Sequence, residues 1–201
     1  DRRLVVVTGK GGVGKSTVSA ALATLAARRG KRVLVAEVDA RERIAPMLGA
    51  RPSGPVVRPV APNVSTVNVD PRHALEEYAL LVVRVRAIYQ AVFENRVVRF
   101  FLRVVPSLAE LVMLGKILHE VRAEEGGRPR WDLVILDAPA TGHGLQYLRM
   151  PQAARDTFAA GLVQREADRI VREVISPAVA AARRAGRVPR RASATPGKRS
   201  R

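Results

Sequence analysis

The chain has 201 residues, a formal net charge of +17 and no cysteine, which excludes disulfide bonds, thiolate metal sites and thiol nucleophiles. Hydrophobic residues make up 47% of it and aromatic residues only 4%, so the core has to be aliphatic, as is typical of an α/β domain with a buried parallel sheet. Residues 183–201 carry eight basic and no acidic residues, so nearly half of the net charge belongs to a tail that we expect to be disordered. We therefore do not expect the folded part to bind nucleic acid.

Two strands and a helix are predicted near the N-terminus. Leu4–Thr8 is a short apolar run followed by glycines, which is typical of a buried strand that ends in a tight loop. Ser16–Arg29 is rich in alanine and leucine, and Gly30 follows it as a helix stop signal. Lys31–Asp39 predicts a second strand. Together the three elements indicate a βαβ unit with parallel strands.

The middle of the chain predicts a loop, a strand and a long helical region. Arg51–Asn63 is rich in proline and predicts a loop, and the alternating residues Val64–Val69 predict a third strand. His73–Glu125 predicts helices, with Pro106 and Gly115 dividing the later ones.

The last predicted elements surround one further apolar run. Gly126–Pro129 predicts a turn, and Asp132–Asp137 predicts a fourth strand. Leu162–Val174 predicts a helix. After Pro151 the sequence contains no further run that predicts a buried strand.

A phosphate-binding loop is predicted between the first strand and the first helix, where the chain reads G-x-x-x-x-G-K-S. Glycines let successive backbone N–H groups point inward at phosphate oxygens, and the helix N-terminus adds its positive dipole end. We expect Lys15 to reach the β- and γ-phosphates of ATP and the Ser16 hydroxyl to ligate Mg²⁺. The residues predicted to bind the nucleotide are Gly9, Gly11, Gly12, Val13, Gly14, Lys15, Ser16 and Thr17.

Lys10 is a second lysine inside this loop. A lysine after the first glycine marks the deviant Walker A loop, and the sequence here resembles the dimerising ATPases, which include the septum-site and plasmid-partition ATPases, the arsenite-pump ATPase and the tail-anchored-protein-targeting ATPase. In that family this lysine crosses the dimer interface to the partner's nucleotide. The resemblance implies that Lys10 acts catalytically in trans, where a cation stabilises the charge built up in phosphoryl transfer. A solvated loop lysine is the alternative.

Two aspartates complete the site that the resemblance implies. Asp39 ends the second predicted strand at the position where the family orients the attacking water, although Ala40 replaces the proline that often follows. A turn or helix-capping carboxylate is the alternative for Asp39. Asp137 ends the fourth strand as a Walker B-like acid that binds Mg²⁺ through water. Glu37 is expected to face the edge of the sheet.

The stretch that follows Asp137 distinguishes two branches of the family. It reads D-A-P-A-T-G-H and then L-x-x-L-x-x-P up to Pro151, which resembles the arsenite-pump and tail-anchored-targeting branch and not the partition branch. The resemblance implies that the backbone N–H of Gly142 senses the γ-phosphate. His143 is not expected to be catalytic. The absence of cysteine excludes the thiolate metalloid and zinc sites of that branch.

The resemblance implies a P-loop NTPase fold, with a mainly parallel sheet flanked by helices. We predict an ATPase domain over residues 1–182, with a helical insertion at about 73–125, and a basic tail over 183–201. Family members continue with further strands and an adenine-recognition loop, so we expect a truncated chain or a naturally short variant that lacks the C-terminal strands.

The predicted function is that of a cytoplasmic, ATP-hydrolysing switch that works as a dimer, either of identical chains or with a paralogue. Hydrolysis would be coupled to a membrane-protein partner or a hydrophobic client. Two alternatives stay open: a partition-type ATPase acting on DNA or a membrane surface, and a nucleotide-binding subunit without turnover.

Overall fold

The fold was analysed in a computed structural model, which describes residues 3–38, 41–74, 76–77, 108–140 and 162–172. Its elements in chain order are β1 (Leu4–Gly9), α1 (Lys15–Arg28), β2 (Val33–Val38), α2 (Ile44–Met47), β3 (Arg58–Ala61), β4 (Val64–Val69), α3 (Leu108–Arg122), β5 (Glu124–Glu125), β6 (Arg128–Pro129), β7 (Leu133–Ala140) and α4 (Leu162–Ile170).

Within the described ranges, the main sheet has five strands in the order β1-β7-β2-β4-β3. The first four of these strands run parallel to one another, and only β3 runs antiparallel to its neighbour β4. The predicted α/β fold with a mainly parallel sheet is therefore confirmed. Because β7 lies between β1 and β2, the carboxyl ends of these three strands meet at one edge of the sheet, where α/β proteins bind their ligands.

The two faces of the sheet form two hydrophobic clusters. Leu34, Ala36 and Val38 of β2 point to the face that packs on α3 and α4. Val33 and Val35 point to the opposite face, which packs on α1. All six residues of β2 are buried, which explains why this strand reads as a nearly continuous apolar run instead of an alternating one.

Three predictions about secondary structure are wrong: a loop, the division of a helix and the end of the helical region. The proline-rich residues predicted as a loop contain β3, and Pro59 is tolerated there because an edge strand does not need every N–H. Gly115 lies inside α3 and does not divide it. The helical region ends at Arg122, since Glu124–Glu125 pairs with Arg128–Pro129 in a small hairpin.

Strand β7 is longer than predicted, because it continues past Asp137 to Ala140. Its pairing with β2 ends at Asp137, while its pairing with β1 continues to Ala140. Pro139 therefore lies beyond the part of β7 that pairs on both sides, where a missing N–H is less costly. Helix α4 begins at Leu162 as predicted and runs to Ile170, a π-helical turn follows at residues 171–172, and the predicted end at Val174 lies outside the described residues.

Several predictions fall outside the described residues: the positions of Asp39, Gly142 and His143, most of the helical insertion, and the basic tail. Among the residues that are described, the helices are too short or too polar to cross a bilayer.

Candidate functional site

The predicted phosphate loop is confirmed as a strand–loop–helix unit. Strand β1 ends at Gly9 and helix α1 begins at Lys15, with Gly14 as its N-cap residue. Gly12 has a φ of 79° and Gly14 a φ of 88°, both in the left-handed region. A side chain would be strained at either position, so the loop conformation depends on these two glycines.

The first turn of α1 faces solvent at the end of this loop. Residues 10–13 and Thr17 are exposed, and the first helical hydrogen bond runs from Val18 N–H to the Gly14 carbonyl at 2.9 Å. The N–H groups of Lys15, Ser16 and Thr17 precede that bond and have no carbonyl to accept them within the helix. Together with the positive dipole end, these N–H groups provide the donors that the predicted phosphate loop requires.

Lys15 folds back over the loop. Its Nζ donates to the backbone carbonyl of Lys10 over 3.2 Å. Lys10 itself is exposed. The two lysines therefore differ in their setting: the ammonium of Lys15 is held above the loop, whereas Lys10 contacts Lys15 through its backbone and not through its side chain.

Asp137 joins β7 to the first turns of α1. The Ser16 hydroxyl donates to Asp137 Oδ2 over 2.6 Å, and the Ser19 hydroxyl donates to Asp137 Oδ1 over 3.2 Å. The carboxylate is buried, and each of its oxygens accepts a hydroxyl. The structure thus brings together the two residues predicted to hold the metal. Ser19 was not among the site residues predicted from the sequence, although its spacing of three from Ser16 places both on one helix face and could have indicated it.

The residues at this point fit Mg²⁺. A serine hydroxyl and a carboxylate are hard oxygen ligands, and magnesium uses one or two such groups together with nucleotide phosphates and water. No group of three or more histidine, aspartate or glutamate side chains that could hold a metal occurs within the described ranges. Ser16 and Asp137 would therefore hold the ion with the nucleotide, and not as a separate protein-only cage.

Glu37 was expected to face an outer edge of the sheet, and this expectation is wrong because β2 is an inner strand. Its strand β2 has β7 on one side and β4 on the other, and Glu37 lies in register with Asp137. The side chain is only 1% exposed. Burial raises the pKa of Glu37, and the nearby negative charge of Asp137 raises it further, while N–H groups of Arg43 and Ile44 act in the opposite direction.

Asp39 and Gly142 remain predictions, because neither is among the described residues. Their sequence neighbours Val38 and Ala140 end β2 and β7 at the same edge of the sheet as the phosphate loop. The roles of both residues therefore rest on the family resemblance.

Comparison with known proteins gives several relatives. ATPase BagA of Mycobacterium tuberculosis is 31% identical over 176 residues, covering 85% of this chain and 52% of that protein. A protein named ATPase ASNA1 homolog from Entamoeba histolytica is 28% identical over 158 residues, covering 76% of this chain and 47% of that protein. The chain spans about half the length of the curated relatives it matches.

A family model described as anion-transporting ATPase matches residues 2–190, which is most of the chain. That match contains both the strand–loop–helix unit and the strand that carries Asp137. The phosphate loop with its second lysine, the parallel sheet and the Ser16–Asp137 contact are all consistent with this match. The chain belongs to the anion-transporting ATPase family.

Proposed function

We propose that this chain binds ATP with Mg²⁺ and hydrolyses it as one half of a dimeric switch. The observation that carries the proposal is the 2.6 Å hydrogen bond between Ser16 and Asp137, which places a hydroxyl and a carboxylate together beside the phosphate loop. Family membership and the ATPase names of the relatives support the reaction class. The activity is proposed for the whole protein, because the chain spans about half the length of the relatives it matches.

In this proposal some site residues bind the nucleotide and the ion, and others take part in the reaction. The N–H groups of the loop and the ammonium of Lys15 bind the phosphates, and Ser16 and Asp137 hold the ion. Magnesium held there would supply positive charge near the oxygens of the transferred phosphoryl group. Asp39 orients the attacking water, and Gly142 senses the γ-phosphate.

Lys10 acts across the dimer interface in this proposal. Its side chain is exposed in the loop, and the interaction it makes with Lys15 uses only its carbonyl. A lysine that reaches a second nucleotide has to extend away from its own loop, and this arrangement leaves the ammonium group of Lys10 available to do so. Hydrolysis then depends on two chains meeting.

Coupling to a partner is assigned to the helical region. Helix α3, at the end of that region, packs on the face of the sheet opposite α1. The sheet thus separates the nucleotide helix α1 from α3, the described helix at the end of the region to which we assign contact with a hydrophobic client or a membrane protein. A movement at the ends of β2 or β7 would be transmitted to α3 through this shared core.

The test is the ATPase rate measured against protein concentration. We expect the rate per chain to rise with concentration, and Lys10→Ala to remove that rise. Lys31→Ala is the matched control. Lys31 is also exposed, but it precedes the amino end of β2, whereas the phosphate loop lies at the carboxyl ends of the strands. A rate per chain that is constant with concentration and indifferent to Lys10 would contradict the dimer mechanism.

The same preparation separates the alternatives. Binding of ATP without hydrolysis at any concentration would favour a nucleotide-binding subunit without turnover. ATP-dependent, salt-sensitive retention on DNA would favour a partition-type ATPase instead.

A further inference from the structure

Glu37 is a buried carboxylate at the nucleotide end of the sheet, and it belongs neither to the phosphate loop nor to the predicted metal-binding pair. Glu37 lies on β2, a strand whose other residues are all apolar. It is in register with Asp137 of β7 on one side and with Asn68 of β4 on the other. A carboxyl group buried next to another carboxyl group costs free energy unless hydrogen bonds offset that cost.

Those hydrogen bonds come from the chain that follows β2. Arg43 N–H donates to Glu37 Oε1 over 2.8 Å, and Ile44 N–H lies 3.4 Å from both carboxylate oxygens. Arg43 is the N-cap residue of α2, and Ile44 is its first residue. Glu37 therefore caps this short helix from within the sheet.

A second carboxylate holds the same segment on its other side. Glu42 accepts the N–H of Ser53, and also the N–H of Gly54 over 2.8 Å. The carbonyl of Gly54 in turn accepts Asn68 N–H over 2.8 Å, which returns the chain to β4. Residues 41–44 are thus tied to the sheet directly through Glu37 and indirectly through Glu42.

We propose that Glu37 is a positioning residue for the ATPase reaction, because it fixes the segment 41–44 at the nucleotide end of the sheet. Two residues, one of which is Asp39, join β2 to that segment. Glu37 belongs to β2 and its carboxylate accepts N–H groups of residues 43 and 44, so it holds together the two described segments between which Asp39 lies in the sequence. The catalytic consequence rests on the proposed function; the anchoring itself rests on the contacts of Glu37.

A carboxylate fits this role better than an amide. Both oxygens of Glu37 face N–H groups, and a glutamine offers one acceptor oxygen and one donor group instead of two acceptors. Glu37→Gln should therefore keep part of the anchor, and Glu37→Ala should remove it. A smaller effect of Glu37→Gln than of Glu37→Ala is expected if the hydrogen bonds of the carboxylate matter, whereas packing volume alone would leave Glu37→Gln close to the parent.

The experiment measures turnover, nucleotide affinity and amide hydrogen exchange for both variants. We expect Glu37→Ala to lower kcat about tenfold or more while the Kd of Mg–ATP changes less than about threefold, with Glu37→Gln between it and the parent. Exchange at the amides of residues 43 and 44 should accelerate about tenfold or more in Glu37→Ala. If the alanine variant does not fold, Glu37→Gln carries the test alone.

Glu120→Ala is the control. Glu120 also accepts an N–H, from Trp131 over 2.9 Å, but on α3 and away from the nucleotide end. It should lower thermal stability without changing kcat. A kcat that falls equally in the Glu120 and Glu37 variants would overturn the proposal, as would unchanged exchange at residues 43 and 44 in Glu37→Ala. A parent without hydrolysis refutes the proposed function, while the exchange measurement still decides whether Glu37 is the anchor.

Discussion

Ser16 and Asp137 are joined by a 2.6 Å hydrogen bond, although 121 residues separate them in the chain. The contact exists because β7 inserts between β1 and β2 and so brings its carboxyl end beside the phosphate loop. The proximity of this predicted metal-binding pair is therefore a product of strand order. Any substitution that shifts β7 along β1 would separate these two side chains without touching either of them.

Asp137→Asn should abolish the magnesium dependence of nucleotide binding. The amide keeps the shape of the side chain but loses the charge that attracts the ion, so we expect Mg–ATP affinity to fall about tenfold or more and hydrolysis about a hundredfold. Titrating Mg²⁺ against nucleotide binding measures the effect. Asp132→Asn is the matched control at the other end of β7, where the carboxylate accepts Arg32 N–H over 2.8 Å. Equal losses in both variants would contradict the metal role.

The two loop lysines should separate binding from reaction. Lys15→Ala removes the ammonium expected on the β- and γ-phosphates, and we expect nucleotide affinity to fall about tenfold or more. Lys10→Ala leaves the Lys10 carbonyl that Lys15 contacts, so affinity at low protein concentration should change less than about twofold. A fluorescent nucleotide titration compares them. A large affinity loss in Lys10→Ala would place its ammonium group on the nucleotide of its own chain.

Valine-to-alanine changes on β2 and in the exposed loop should differ strongly in their effect on stability. Val35 is fully buried against α1, whereas Val56 is 58% exposed. Val35→Ala should lower the free energy of unfolding by about 2–3 kcal/mol through lost burial and a residual cavity, and Val56→Ala by less than about 0.5 kcal/mol. Urea unfolding monitored by the Trp131 fluorescence measures both. Similar losses would indicate that Val56 is packed in solution.

The pH dependence of stability should include carboxylate contributions of opposite sign, which Asp132 and Glu37 illustrate. The N–H of Arg32 lowers the pKa of Asp132, so the folded state binds fewer protons and Asp132 contributes stability that is lost as pH falls through the lowered pKa. Burial raises the pKa of Glu37, so its folded form binds more protons and stability falls as pH rises from the ordinary pKa to the raised one.

Urea midpoints measured across the acid range test both signs. Asp132→Asn should flatten the loss of stability on the acid side. Glu37→Gln should flatten the decline that begins above the ordinary glutamate pKa of about 4.3. A steeper decline in Glu37→Gln would show that the sign assigned to its contribution is wrong.

The parts of the site that depend on local sequence could be predicted. The phosphate loop follows from glycine conformations and from the adjoining strand and helix, all within a few residues. Asp137 could be predicted because a strand end is recognisable and parallel strand ends meet at one edge. The family resemblance then assigned roles to Lys10 and Asp39 that the pattern alone does not carry.

The parts that depend on packing could not be predicted. Ser19 is an unremarkable polar residue of a helix until β7 places Asp137 against it. The burial of Glu37 was not predicted, because it depends on β2 lying between β7 and β4, and the sequence of β2 alone does not determine that position. Strand β3 was missed because its prolines favour a loop, and only its position at the edge makes them acceptable in a sheet.

The central position of β7 has a consequence for synthesis. Among the described strands, β7 is the last in the chain, yet it separates β1 from β2 in the sheet. At about 5–20 residues per second, the ribosome finishes β7 on the order of ten seconds after the phosphate loop. During that interval the loop has no Asp137 and β1 has no partner from β7. We expect ATP to begin to stabilise the nascent protein only when Ala140 has emerged, so the chain that precedes β7 must avoid aggregation without help from the nucleotide.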